Sequence, residues 1–217
     1  MTRMQTAKTA FILNVVIVAL EVVGFAITFA RPDGADYLKY YTQESNLLLL
    51  AACFVAAMFQ WPAFRHERNI PAWVRLLKYV ATCCIAVTLA VVIFVLSPSE
   101  VPERGCAGYF DTLWGGTNFY FHFVCPILAI VNFIFFEKNS DFRPTVTLLA
   151  LLPTVLYAAI AMGLNIARLT VGPYFFLHVY EQPIYMSLIW CVVVLGGAYA
   201  LAYVLYRANK IRQTDKI

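Results

Sequence analysis

Six apolar runs, each about as long as the 20 residues a helix needs to cross a bilayer, take up most of this 217-residue chain. They fall at roughly 9–30, 40–62, 76–97, 117–136, 145–167 and 183–206. Little chain remains between them, so a separate soluble domain has no room. Composition agrees: 62% of residues are hydrophobic and only 13% charged, with a mean hydropathy of +0.73, where a soluble domain carries about 25% charge. The expectation is an all-α polytopic membrane protein, with six transmembrane helices in one bundle that forms a single domain over residues 1–217.

The first run follows Arg3 and Lys8 and ends at Thr28-Phe29-Ala30, which loosely fits a cleavage site. Its apolar stretch exceeds the roughly 7–15 residues of a signal core, and Glu21 lies inside it, so it reads as a retained span. Short-loop Lys and Arg set orientation. Arg3 and Lys8 mark the N-terminus, Arg65, Arg68, Arg75 and Lys78 the second loop, Lys138 and Arg143 the fourth, and Arg207, Lys210, Arg212 and Lys216 the tail. Both termini are therefore expected on the cytoplasmic side. This bias accounts for the net charge of +4, and no basic run suggests nucleic acid.

The six cysteines do not form a metal pattern: Cys83 and Cys84 are adjacent, Cys53, Cys125 and Cys191 lie inside spans, and only Cys106 falls in a loop. No zinc set of three or four ligands is in view, and neither a metal nor a cofactor is expected. The outer connection SPSEVPERGCAGYFDTLWGGT is the longest and the one expected to fold back over the bundle.

Intramembrane polar side chains are costly unless they face protein or water, and here they recur at helical spacing. Asn14, Glu21 and Thr28 stand seven apart in the first span. Asn118, His122, Cys125 and Asn132 share a face of the fourth, Tyr157, Asn165 and Arg168 a face of the fifth, and Thr42, Ser45 and Asn46 a face of the second. The third and sixth spans show no comparable stripe. At 1.5 Å per residue, Glu21 lies about 15 Å below Arg31, whereas Thr42 and His122 lie one to two turns below the outer surface. The stripes are expected to converge on one cavity that opens toward the outer leaflet. Ser45, Asn118 and Asn132 also suit simple helix-bridging, Lys39 and Glu44 a surface pair, and Tyr174, Phe175 and Phe176 an aromatic belt.

A hydroxyl becomes a nucleophile when a base takes its proton, so Thr42 and His122 form the smallest credible acyl-transfer unit. Asn46, Asn118, Asn165 or Arg168 could face an oxyanion, and Glu21 or Asn132 could orient the imidazole. A G-x-S-x-G elbow is absent.

The segments LKYYTQESNLLLL, NFYFHFVCPILAIVNFIFFE and ARLTVGPYFFLHVYEQP resemble the three characteristic regions of the androgen-induced membrane protein family, multi-pass hydrolases of fatty acid esters of hydroxy fatty acids. They are also similar to small bacterial integral membrane proteins, to which the Ser45-Asn46 pair after Thr42 fits better. The resemblance implies a Thr nucleophile at Thr42 and a His base at His122, a lipid or fatty-acyl ester as substrate, and a place in a bacterial inner membrane. Two rival readings are a proton-coupled carrier or lipid receptor that uses Glu21 and His122, and a scaffold whose stripes are only helix contacts.

Overall fold

The structure, a computed structural model, describes residues 3–66, 69–139 and 141–214, with the side chains of Arg3, of residues 63–66 and of residues 213–214 left aside. Arg68, Lys216 and the side chains of Arg3 and Arg65, all used above for orientation, lie outside the described residues. Every regular element is helical, with no strand among the described residues.

Among the described residues, five helices are long and apolar enough to span a membrane. They are α1 (Arg3–Phe29), α2 (Tyr41–His66), α3 (Ala72–Val91), α7 (Val146–Ile166) and α8 (Ile184–Thr214). α3 runs on through a π turn, Val92–Leu96, and one turn of helix, α4 (Ser97–Ser99). The expected fourth span is different. Helix α5 (Val101–Trp114) occupies what the sequence suggested was an outer loop. Past a break, a π turn (Phe119–Val124) leads into α6 (Cys125–Phe135). The two arms meet at 75°, so the described residues hold five candidate spans, or six with the bent pair counted as one. The break follows from Gly115-Gly116: Gly116 has φ 55°, a conformation that costs glycine least.

α3 is the centre of the bundle, packed against α2, α6, α7 and α8. α1 joins α2 and α6 on one side, and α7 pairs with α8 on the other. A helix in contact on nearly all sides has no polar face to show, which is why α3 displayed no stripe in sequence. It is also where one reading changes. Lys78, taken as a loop charge, sits inside α3 with 1% of its side chain exposed. Arg75, a turn earlier, stays near the surface and donates to both carboxylate oxygens of Asp141, at 2.6 Å to Oδ2, fastening α3 to the connection after α6. Asn209 of α8 donates to the carbonyls of Phe133 and Glu137, which occupies acceptors that the end of a helix leaves unsatisfied. Asn14 and Asn209 both reach Glu137, so the N-terminal half of α1 and the C-terminal part of α8 lie at the same end of the bundle.

Candidate functional site

The first turn of α2 carries Thr42, Ser45 and Asn46, all buried. Asn46 donates to the Thr42 carbonyl at 2.7 Å and to the Phe121 carbonyl at 3.2 Å. One amide thus holds the backbone of Thr42 within two hydrogen-bond lengths of the residue next to His122. Ser45 shares a 2.8 Å hydrogen bond with Thr88 of α3 and donates to the Thr42 carbonyl. Asn46 and Ser45 therefore lock the turn that presents Thr42.

Tyr174, in the α7–α8 connection, completes this arrangement. Its hydroxyl accepts the Thr42 backbone N–H at 3.3 Å and also meets the Thr42 side chain. Burial pushes its phenol up to about 12, offset in part by those Thr42 contacts, so at neutral pH it remains a neutral donor. The sequence placed Tyr174, Phe175 and Phe176 in an aromatic belt. In the structure Tyr174 and Phe176 are buried, with rings stacked 5.2 Å apart. Only their neighbourhood to PYFF distinguished them, and that pattern does not say which rings turn inward.

Thr42 lies on the wall of a narrow cavity of about 60 Å³, lined mostly by apolar groups such as Val87, Val91, Met162, Phe176 and Trp190. A larger recess of about 680 Å³ lies beside it, between α2 and α7, lined by Ser45, Tyr157, Leu156, Ile160 and Leu164, with Lys39 and Glu44 also on its wall. Leu156, Ile160 and Leu164 are exposed, so the recess opens sideways, where lipid would be. On its wall, Tyr41 shares a 2.6 Å hydrogen bond with Thr154 and Tyr157 donates to the Lys39 carbonyl. Lys39 and Glu44 do not form an ion pair; the ammonium sits 5.6 Å over the Tyr40 ring.

His122 is buried in the π turn. Its Nδ1 lies 2.7 Å from the Thr112 carbonyl. A carbonyl only accepts, so Nδ1 carries the hydrogen and Nε2 keeps a lone pair, the arrangement a base requires. Pro126 explains the turn: it has no N–H for the carbonyl of His122, four residues back. Pro98 stands in the same place relative to the other π turn, Val92–Leu96, and such bulges recur at functional sites.

The remaining expected residues go elsewhere. Asn118 donates to the Asp111 carbonyl at 3.3 Å, holding the bend between α5 and the π turn. Asn165 donates to the carbonyls of Thr170 and Val171 and accepts the Val179 N–H at 3.0 Å, so its amide organises the α7–α8 loop. Arg168 is exposed, with its guanidinium 4.6 Å over the Tyr180 ring. Glu21 is wholly buried and faces the Cys125 thiol. Neither cavity beside Thr42 is lined by Glu21 or His122, so the single hollow expected from the stripes is in fact several sites. The cause is visible in α1, where Asn14, Glu21 and Thr28 share a face but are separated by about 10 Å each, too far to converge.

The fold thus defines a class: an all-helical integral membrane protein with polar groups buried at separate depths. No family model matches the chain, and no curated protein or solved structure matches it.

Proposed function

We propose that this chain is an intramembrane hydrolase that cleaves a lipid-like carboxylic ester, of the fatty acid ester of hydroxy fatty acid type, with Thr42 as nucleophile and His122 as base. The observation that carries the reading is the Asn46 clamp: it joins the turn bearing Thr42, on the wall of an apolar cavity, to the turn bearing His122, whose Nε2 is free to accept a proton. In this scheme the ester enters sideways between α2 and α7. The Thr42 hydroxyl adds to its carbonyl carbon while His122 Nε2 takes the hydroxyl proton, directly or through one water. His122 returns that proton to the departing alcohol oxygen. Water then adds to the acyl carbon while His122 takes its proton, and His122 returns that proton to the Thr42 oxygen as the bond to the acyl group breaks and the acid leaves. Asn46 directs its amide to the Thr42 and Phe121 carbonyls, and Asn118, Asn165 and Arg168 are committed to other contacts, so the oxyanion donor in this scheme is the Tyr174 hydroxyl.

A second reading, a lipid-binding receptor without chemistry, is favoured by the almost wholly apolar lining around Thr42 and by the absence of His122 from it. Turnover of a medium-chain fatty ester by protein in lipid nanodiscs separates the two. The hydrolase reading expects Thr42→Ala and His122→Ala each to lower turnover by about 10²–10⁴-fold while the protein stays monodisperse. Saturable ester binding with no turnover in the unmodified protein would leave the receptor reading.

A further inference from the structure

The α7–α8 connection that carries Tyr174 is closed on itself at two levels. Asn165, near the end of α7, donates to the carbonyls of Thr170 and Val171 and accepts the Val179 N–H, so one amide joins the two arms of the loop. His178 makes the second closure. Its Nε2 lies 3.2 Å from the Gly172 carbonyl and its Nδ1 lies 2.8 Å from Glu181 Oε2. Gly172 has φ 90°, a backbone state that glycine adopts at least cost. Residues 172–178 therefore form a small loop whose neck is the contact between His178 and Gly172.

Both partners of the ring only accept hydrogen, one being a carboxylate and the other a carbonyl. A neutral imidazole carries one N–H and can serve one of them; only the imidazolium donates to both. The contacts are thus those of a charged His178. The side chain of His178 is 19% exposed and that of Glu181 64%, so water can deliver or remove the proton. From α7 the loop meets the neutral Asn165 amide and the Arg168 guanidinium, which lies over the Tyr180 ring. From the approach to α8 it meets Gln182, bonded to Ser187, both neutral. On the wall of the recess that Gly172 also lines stand Glu44 and Lys39, the latter turned over the Tyr40 ring. Glu181 is the ionic partner of the ring.

We propose that His178 is a positioning residue for Tyr174: its protonated ring clasps the neck of the loop, and loss of the proton to water opens it. On deprotonation, the hydrogen bond to the Glu181 carboxylate is the stronger of the two and keeps the remaining N–H on Nδ1. Nε2 then turns a lone pair on the Gly172 carbonyl, and the neck contact becomes repulsive.

Tyr174 and Phe176 lie within the loop that this neck closes. The Tyr174 hydroxyl accepts the Thr42 N–H at 3.3 Å, and Phe176 packs on Trp190 with ring centres 5.5 Å apart. The clasp holds the Tyr174 hydroxyl at the first turn of α2 toward acid pH and frees the loop toward alkaline pH. What it controls rests on the ester reading above, in which that hydroxyl faces the oxyanion; the clasp itself shows in the ring and the loop without any turnover.

Two measurements on the protein in lipid bilayers test the clasp, between about pH 5 and pH 8, where histidine changes charge. In solid-state NMR with nitrogen-labelled histidine, the His178 signal is identified by its loss in His178→Gln. It should show two N–H groups at the acid end and one at the alkaline end. Hydrogen exchange of the peptide covering residues 172–178, corrected for the intrinsic pH dependence of amide exchange, should be severalfold slower at the acid end. That difference should vanish in His178→Gln, which has no charge to gain, and shrink in Glu181→Gln, which keeps the ring and loses the carboxylate. If His178→Gln does not purify as monodisperse protein, Glu181→Gln supplies the comparison. A His178 ring with one N–H throughout, loop exchange that ignores pH, or a pH difference undiminished in Glu181→Gln would overturn the proposal.

Discussion

Thr42 is a residue whose surroundings say more than its type. Threonine is common in membrane helices as a bridge between neighbours, but here Ser45 makes that bridge, to Thr88, and Thr42 turns to a cavity and to Tyr174. Its position near the start of α2 was legible because polar groups opening an apolar run demand a reason. Tyr174 was not legible: a tyrosine in an aromatic-rich connection has the same pattern whether it faces headgroups or protein. The phenol's contact with Thr42 leads to a specific expectation. Tyr174→Phe keeps the ring stacked on Phe176 and removes one hydroxyl, leaving the buried Thr42 N–H without its acceptor, so stability in detergent should fall by about 1–3 kcal/mol. Ester turnover should fall by about 10²–10³-fold if that hydroxyl faces the oxyanion. Equal turnover in the variant would remove Tyr174 from the mechanism.

At the scale of elements, the bent pair α5–α6 is where sequence and structure part most. Hydropathy alone found the apolar residues of 117–136 but could not register that Gly115-Gly116 turns the chain by 75° there. Nor could it show that α5 is helical, because its residues read as a polar connection. In the proposed mechanism the π turn is the part of that irregularity that matters, since it aims His122 at the Thr112 carbonyl. Pro126→Ala returns the missing N–H to the His122 carbonyl and favours regular α geometry. The expected outcome is an unchanged or raised melting temperature with ester turnover reduced about tenfold or more, as a misaligned base requires. A variant as active as the unmodified protein would show that the π turn serves folding alone. Lys78 gives the opposite lesson about α3. It lies at the very edge of the apolar run 76–97, and a lysine at such an edge reads naturally as a loop charge. Only the packing of α2 and α6 around α3 reveals that its ammonium is enclosed.

The whole molecule is a bundle organised around α3, with α1, α2 and α6 on one side and α7 with α8 on the other. That division leaves the lateral recess between α2 and α7, because both helices pack on α3 and other helices rather than closely on each other. If lipid esters enter there, a larger side chain on its lip should obstruct them without touching the chemistry. Ile160→Trp is therefore expected to raise KM severalfold for a long-chain ester and to leave kcat near its original value, in steady-state assays in nanodiscs. Loss of kcat with KM unchanged would place entry elsewhere. Glu21 and Thr42 belong to the same side of this division, yet neither cavity beside Thr42 is lined by Glu21, where a single hollow was anticipated from helical spacing. Spacing fixes which face of a helix a residue occupies, whereas depth and the neighbour on that face come only from packing.

Covalent labelling of Thr42 is the most direct test that this hydroxyl acts as a nucleophile. After incubation with a long-chain fluorophosphonate, mass spectrometry of the protein should find one adduct on the peptide containing Thr42, absent in Thr42→Ala and formed far more slowly in His122→Ala. An unlabelled Thr42 in a monodisperse sample that still hydrolyses the ester, with Thr42→Ala equally active, would contradict the account.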